Sequence, residues 1–345
     1  MPLRLSRTRR VMTIRLEKAI ERTAVLDPRR GFEEFAQEVE VRFDPLTGAA
    51  SRINITRAGR PKQQMCRAAE EPAPKNCPFC PSNIEAETPK FTPAFAPEGR
   101  IRRGGATVFP NLFPLSGIHG VCAFTPEHKL DLDMFTEAEI ADGLFAAAEF
   151  ARRGAAAGAR FHFLGWNHLP PAGASILHPH FQIIASTRPA AAVAMYHSAA
   201  AGYLARQGRS FWEDYAEEER RSARFIGSSG GFEWFAPWSP TCGYEVLGIC
   251  AATAASLLEL DDAGVRGLAG GIVRVLRGYW KMGVASVNLG AYSWPERGDG
   301  FALNVRLAGR PIAGASDRAF LEIFGGETGL PVAPEGYAPL LRGEF

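Results

Sequence analysis

Between positions 161 and 187 the chain reads FHFLGWNHLPPAGASILHPHFQIIAST: an apolar stretch, a Pro/Gly-rich loop, and a second apolar stretch carrying His178, His180 and Gln182. In an extended backbone, residues two apart project to the same side, so these three side chains form one row while Pro179 and Phe181 face the other way. Neutral imidazole is both a nucleophile toward phosphorus and a metal ligand, and a primary amide donates to phosphoryl oxygens. Such a row suits a metal at one end and a phosphate at the other. A solvated edge strand with two incidental histidines is the plain alternative, and the Gly173-Ala174-Ser175 loop just ahead of the row argues against it.

Other residues offer related chemistry. Cys77-Pro78-Phe79-Cys80 sits in the middle of a segment, 59–105, rich in Pro, Lys and Glu. A C-x-x-C pair is either redox-active or metal-binding; the redox version opens a helix, no helical pattern follows Cys80, and metal is favoured. Zinc then needs two further nitrogen or sulfur ligands. Arg57 and Arg60 leave a strand end together, as solvated charges or as a bidentate clamp on a diphosphate. Asn111 and Asn167 stand where strands end, a place for a turn former or for a ligand contact.

Composition narrows the partners. With 345 residues, 46% of them apolar, the chain can bury a large core as one large domain or two ordinary ones. A net charge of +2 gives no reason to expect a nucleic-acid or membrane surface, and a small-molecule partner is expected. The six cysteines do not form a secreted disulfide framework. Four arginines in the first ten residues are followed by no long apolar run and no cleavage site, so the expectation is a cytoplasmic protein.

The elements that must hold these residues follow from periodicity. Residues 13–24 read as a helix from the spacing of Ile14, Leu16 and Ile20, and 32–39 as a second helix or a lead into a strand. Val39, Val41 and Phe43 alternate into the Asp44-Pro45-Leu46-Thr47-Gly48 turn, from which 52–55 return. A helix over 130–153, with Thr136 to Glu139 at its start, runs into strands at 161–166 and 177–185. The same order recurs later: apolar strands near 232–238 and 244–249, a helix over 262–280, then strands at 285–292 and 300–308. Laid over the first copy, the second has Ala302, Asn304 and Arg306 where the first has His178, His180 and Gln182. The expected organisation is a leader and helix over 1–30, a first half over 31–204, and a degenerate second half over 205–345.

Taken together, Asn167, Gly173-Ala174-Ser175 and His178-Pro179-His180-Phe181-Gln182 resemble the active-site segment of the galactose-1-phosphate uridylyltransferases, a branch of the histidine triad superfamily. Arg42 to Gly48 with Thr56 to Pro61, Cys77 to Cys80, Val108 to Asn111 and Phe124 to His128 are similar to further motifs of that family, in the same order. The resemblance implies an α+β fold of two histidine-triad-like repeats forming a largely antiparallel sheet with helices packed on it. It implies zinc held by Cys77, Cys80, His128 and His178, with His180 as nucleophile. A backbone carbonyl such as that of His178 would hold the second ring nitrogen of His180. Gln182 would donate to a non-bridging oxygen, and Ser175 with the loop amides would hold the departing phosphate. Arg57, Arg60, Asn111, Asn167, Gly173 and Ala174 would bind the nucleotide and its phosphates, and Glu327 the sugar. The implied activity exchanges a nucleoside monophosphate, UMP in the family, between a nucleotide-sugar and a sugar 1-phosphate in a homodimer. The chain has no histidine after His197, so the second metal site of enterobacterial-type members should be absent. Phe181 departs from the small residue usual at that position, so the packing beneath it must differ. Alternatives are a phosphorylase of nucleotide-sugars or dinucleoside polyphosphates using the same histidine, and a non-catalytic zinc-stabilised nucleotide-binding protein.

Overall fold

The computed structural model describes residues 14–59, 77–250, 254–311 and 320–345. Its amino-terminal part corrects the helix expected over 13–24: strand β1 (Lys18–Asp27) pairs antiparallel with β2 (Glu33–Phe43) along its whole length. β1 is exposed at every residue but Asp27, so it lacks the half-buried alternation by which a strand is read from sequence, whereas β2 alternates between exposed and half-buried residues. The backbone ladder and the turn at Gly31 (φ +66°) hold the two together, with the ion pairs Lys18–Glu40 and Arg22–Glu38 across it. β3 (Ala50–Ile53) and the late strand β14 (Thr328–Leu330) complete a four-stranded sheet in the order β1-β2-β3-β14. Arg42 anchors this sheet to the main body: it is buried, lies over the Trp238 ring at 4.1 Å and donates to Glu335 Oε1 at 2.9 Å.

The main body is a ten-stranded sheet whose neighbouring strands are all antiparallel. In chain order it holds β4 (Ile101–Arg103), β5 (Ala106–Pro110), β6 (Ile118–Ala123), β7 (Phe161–His168) and β8 (His180–Ser186), then β9 (Phe225–Ser229), β10 (Phe232–Phe235), β11 (Val246–Ile249), β12 (Val284–Tyr292) and β13 (Asn304–Pro311). Their spatial order is β4-β5-β6-β8-β7-β12-β13-β11-β10-β9. From either edge inward the strands come in the same sequence order, and the two blocks meet where β7 pairs with β12. After the one-turn helix α1 (Ile84–Glu87), helix α2 (Glu137–Ala156) links β6 to β7; α3 (Ala191–Gln207) and α4 (Phe211–Glu219) follow β8, α5 (Asp262–Lys281) links β11 to β12, and α6 (Pro334–Arg342) closes the chain. This is the α+β fold of two repeats that the resemblance implies. Among the described residues, no helix is long and apolar enough to cross a membrane.

Helices α2 and α5 cover one face of the sheet and enclose the largest apolar core. Phe181 lies fully buried there, stacked on Phe124 at 4.3 Å and edge-on to Trp166 at 5.5 Å. Room for it comes from Gly143 of α2, where an added Cβ would lie 2.7 Å from the Phe181 ring and 2.9 Å from Phe124. The large residue at 181 is thus matched by a glycine in the facing helix, and the row on the opposite strand face is undisturbed. Gly143→Ala should cost about 1–3 kcal/mol through overpacking, although alanine is the better helix former, and thermal or urea unfolding reads that sign directly.

The other face differs between the two halves. Over the second half, Val193 and Tyr196 of α3 with Phe211, Trp212 and Tyr215 of α4 pack on Leu247, Ile249, Phe301 and Ala302. Over the first half, Phe79 of the Cys77–Cys80 segment and Ile84 of α1 pack on Phe109, Val121 and Ala123. The row His180/Gln182 lies on this less covered side.

Candidate active site

Helix α2 begins at a capping box in which Thr136 and Glu139 satisfy each other's backbone N–H groups. Glu139 also accepts from Thr125 Oγ1 at 2.8 Å, fixing the end of the segment that follows β6. The Thr125 carbonyl in turn accepts from His178 Nε2 at 2.9 Å, which leaves His178 Nδ1 free as a ligand atom. That atom lies 3.7 Å from Cys80 Sγ, and His128 Nδ1 lies 3.5 Å from the same sulfur. Cys77, Cys80, His128 and His178 place their ligand atoms within 4.8 Å of one another.

This donor set fits a metal ion. Burial and the neighbouring Cys77 thiol push the Cys80 thiol up to about 11, so two adjacent thiolates need a compensating cation. Paired thiolates and imidazoles suit a tetrahedral zinc-type centre. Held there, a metal would tie the Cys77–Cys80 segment to the start of β8.

His180 is buried, and its Nδ1–H donates to the His178 carbonyl at 2.8 Å. That bond fixes the tautomer and presents Nε2 as the free lone pair. Burial lowers the His180 pKa, against the pull of the same backbone bond, which keeps the ring neutral. Phe79 stands edge-on to the ring at a centroid distance of 5.2 Å.

Gln182 lies on the same face of β8 and pairs with Gly165 of β7, and one further step of that register sets Asn167 opposite His180. His119 of β6 was not among the residues singled out from sequence. It accepts at Nδ1 from the Leu115 N–H at 3.1 Å. Asn111 sits beside it, with Nδ2 3.4 Å from His119 Nε2 and Oδ1 accepting from the Phe113 N–H at 2.8 Å.

The loop between the strands starts at Leu169, whose φ of +66° is a conformation that side chains with a Cβ rarely adopt. Gly173 (φ +87°) turns the loop, and its N–H and that of Ala174 are tied back to the carbonyls of Pro170 and Leu169. Ser175 follows, exposed on the open side.

Two expected residues stand outside this network, and one falls outside the described residues. Arg57 is exposed in a 3-10 turn, and Glu327 accepts from Arg52 Nε at 2.5 Å on the edge of the small sheet, so neither is joined to the row by a hydrogen bond. Arg60 lies outside the described residues.

The second half repeats the backbone but not the chemistry. Asn304, in the place of His180, donates Nδ2 to the Ala302 carbonyl at 3.0 Å, the same i to i−2 bond that His180 makes. Arg306, in the place of Gln182, is paired to Glu245 Oε1 at 2.7 Å and lies over Tyr196 at 4.4 Å. Asn304 is fully buried and Arg306 is half-buried against Tyr196 of α3, so this face is filled by the protein itself.

No protein-family model matches the sequence. An uncharacterized protein of Archaeoglobus fulgidus is 29% identical over 309 residues, 88% of this chain and 92% of the relative. Among solved structures, an ADP-glucose phosphorylase from Arabidopsis thaliana with bound ADP-glucose superposes with a TM-score of 0.72 at 20% identity, covering 88% of this chain and 98% of that one. A uridylyltransferase superposes with a TM-score of 0.67 at 21% identity, covering 88% and 97%. The chain therefore has the uridylyltransferase-like fold over most of its length.

Proposed function

We propose that this chain, folded as uridylyltransferases and ADP-glucose phosphorylase are, is a nucleotidyltransferase that moves a nucleoside monophosphate, UMP in the first instance, from a nucleotide-sugar to a sugar 1-phosphate through a covalent nucleotidyl-histidine. The observation that carries this reading is the His180 Nδ1 bond to the His178 carbonyl, which leaves Nε2 free on a strand face shared with Gln182. In the first step Nε2 attacks the α-phosphorus, a P–N bond forms, the bond to the bridging oxygen breaks, and sugar 1-phosphate departs. In the second an acceptor phosphate oxygen attacks the same phosphorus and the P–N bond breaks. Gln182 donates to a non-bridging oxygen as charge gathers there, and Ser175 with the Gly173 and Ala174 loop receives the departing phosphate. Asn111 and Asn167 hold the nucleotide, with Arg57 and Arg60 at its phosphates. Zinc at Cys77, Cys80, His128 and His178 positions the strand, and the reading includes a homodimer in the cytoplasm.

A second reading concerns the acceptor alone. The fold is shared with an ADP-glucose phosphorylase as well as with a uridylyltransferase, which supports inorganic phosphate as acceptor, and so a phosphorylase reaction, beside the leading reading. One experiment decides both points. The protein is incubated with a panel of nucleotide-sugars, and sugar 1-phosphates or inorganic phosphate are then added separately. Exchange with a sugar 1-phosphate supports the leading reading, and nucleoside diphosphate formed only with inorganic phosphate supports the second. Absence of turnover with every donor and acceptor pair would leave a nucleotide-binding protein in their place.

A further inference from the structure

The second half contributes one residue to the loop that serves the nucleophile. Asn288 of β12 is the cross-strand partner of Asn167. Its Nδ2 donates to the Ala172 carbonyl at 2.8 Å and to Asn167 Oδ1 at 2.8 Å. A backbone carbonyl only accepts, so the Asn288 atom facing Ala172 is the NH2 group. That group's second hydrogen requires an acceptor, so the Asn167 atom facing it is the oxygen. The NH2 group of Asn167 is therefore turned away from β12, on the strand face that His180 shares. Ser286, two residues earlier, donates from Oγ to the His168 carbonyl at 2.6 Å, so the same strand also holds the start of the loop.

We propose that Asn288 is a positioning residue that latches the Ala172–Ser175 loop and fixes the Asn167 amide with its N–H groups toward the phosphates of the nucleotide. The assignment rests on the functional reading above for what Asn167 touches, and on the hydrogen bonds alone for what holds it. It makes the second half a working part of the site even though its own polar row is buried.

The test is a double-mutant cycle with a structural control. Asn288→Asp presents an acceptor to the Ala172 carbonyl and turns the Asn167 amide round. It should lower kcat/KM for the nucleotide-sugar by about 10- to 100-fold with metal content unchanged. In an Asn167→Ala background the same change should cost several-fold less, because the part of the loss that runs through the Asn167 amide is gone and only the broken latch to the Ala172 carbonyl remains. Full additivity of the two losses would overturn the orienting role. Should Asn288→Asp fail to fold, Asn288→Ala takes its place in the cycle. Hydrogen exchange of residues 169–176 reads the latch without any substrate: faster exchange in Asn288→Ala supports it, and unchanged exchange overturns it. A wild type that takes up no nucleotidyl group would instead defeat the functional reading, and the exchange experiment would still decide the latch.

Discussion

His180→Asn is expected to give a folded protein that retains its metal and loses several orders of magnitude in nucleotidyl transfer, because it removes the attacking atom and little else. The molecule itself supplies the reason to expect folding. Asn304 occupies the corresponding place in the second half, fully buried, and makes the same bond to the carbonyl two residues before it. Asparagine at 180 can therefore donate to the His178 carbonyl as the imidazole does, and the strand keeps its local hydrogen bonding. Gln182→Ala should lose less, about a hundredfold to a thousandfold, as expected for a single donor to developing charge. Comparing kcat/KM for the two variants with a matched nucleotide-sugar separates the roles. Equal losses would argue against His180 as the nucleophile.

The second large effect concerns the metal. Cys77→Ser should abolish binding of one zinc per chain and lower the melting temperature by roughly 10 °C, since metal binding free energy is in part folding free energy. The loss should fall short of complete unfolding, because the main core lies on the far side of the sheet, under α2 and α5. What a metal there would join is local: the segment carrying Phe79 and Ile84, the end of β6 near Thr125, and the His178 backbone whose carbonyl accepts from His180. Elemental analysis and thermal melts of wild type and variant check this. Metal-free wild type prepared without chelators, or unchanged metal content in Cys77→Ser, would contradict it.

Much of the site was legible because its logic is local. The period of two aligned His180 and Gln182 on β8, which begins only at His180, and the bond from His180 to the His178 carbonyl spans just two residues. The repeated order of elements was legible for the same reason: each helix carries its own 3.6 periodicity, and α2 and α5 form where that periodicity is clear. The amino-terminal ribbon was misread because β1 is exposed on both faces, so its apolar residues carry no strand alternation, and what places it is backbone pairing with β2. Asn288 and His119 were missed for another reason. Asn288 bonds Asn167 on a different strand, and His119 is set beside Asn111 by the β5–β6 hairpin; no spacing along the chain announces such pairings. The glycine that admits Phe181 is likewise remote in sequence, on α2.

If His180 carries the nucleotidyl group between donor and acceptor, the group must rest on that residue when no acceptor is present. Intact-protein mass spectrometry after mixing with a nucleotide-sugar alone reads this. The wild type should gain the mass of one nucleoside monophosphate, peptide mapping should place it on His180, and His180→Asn should gain none. An adduct on both proteins, or turnover that survives in His180→Asn, would contradict the covalent mechanism.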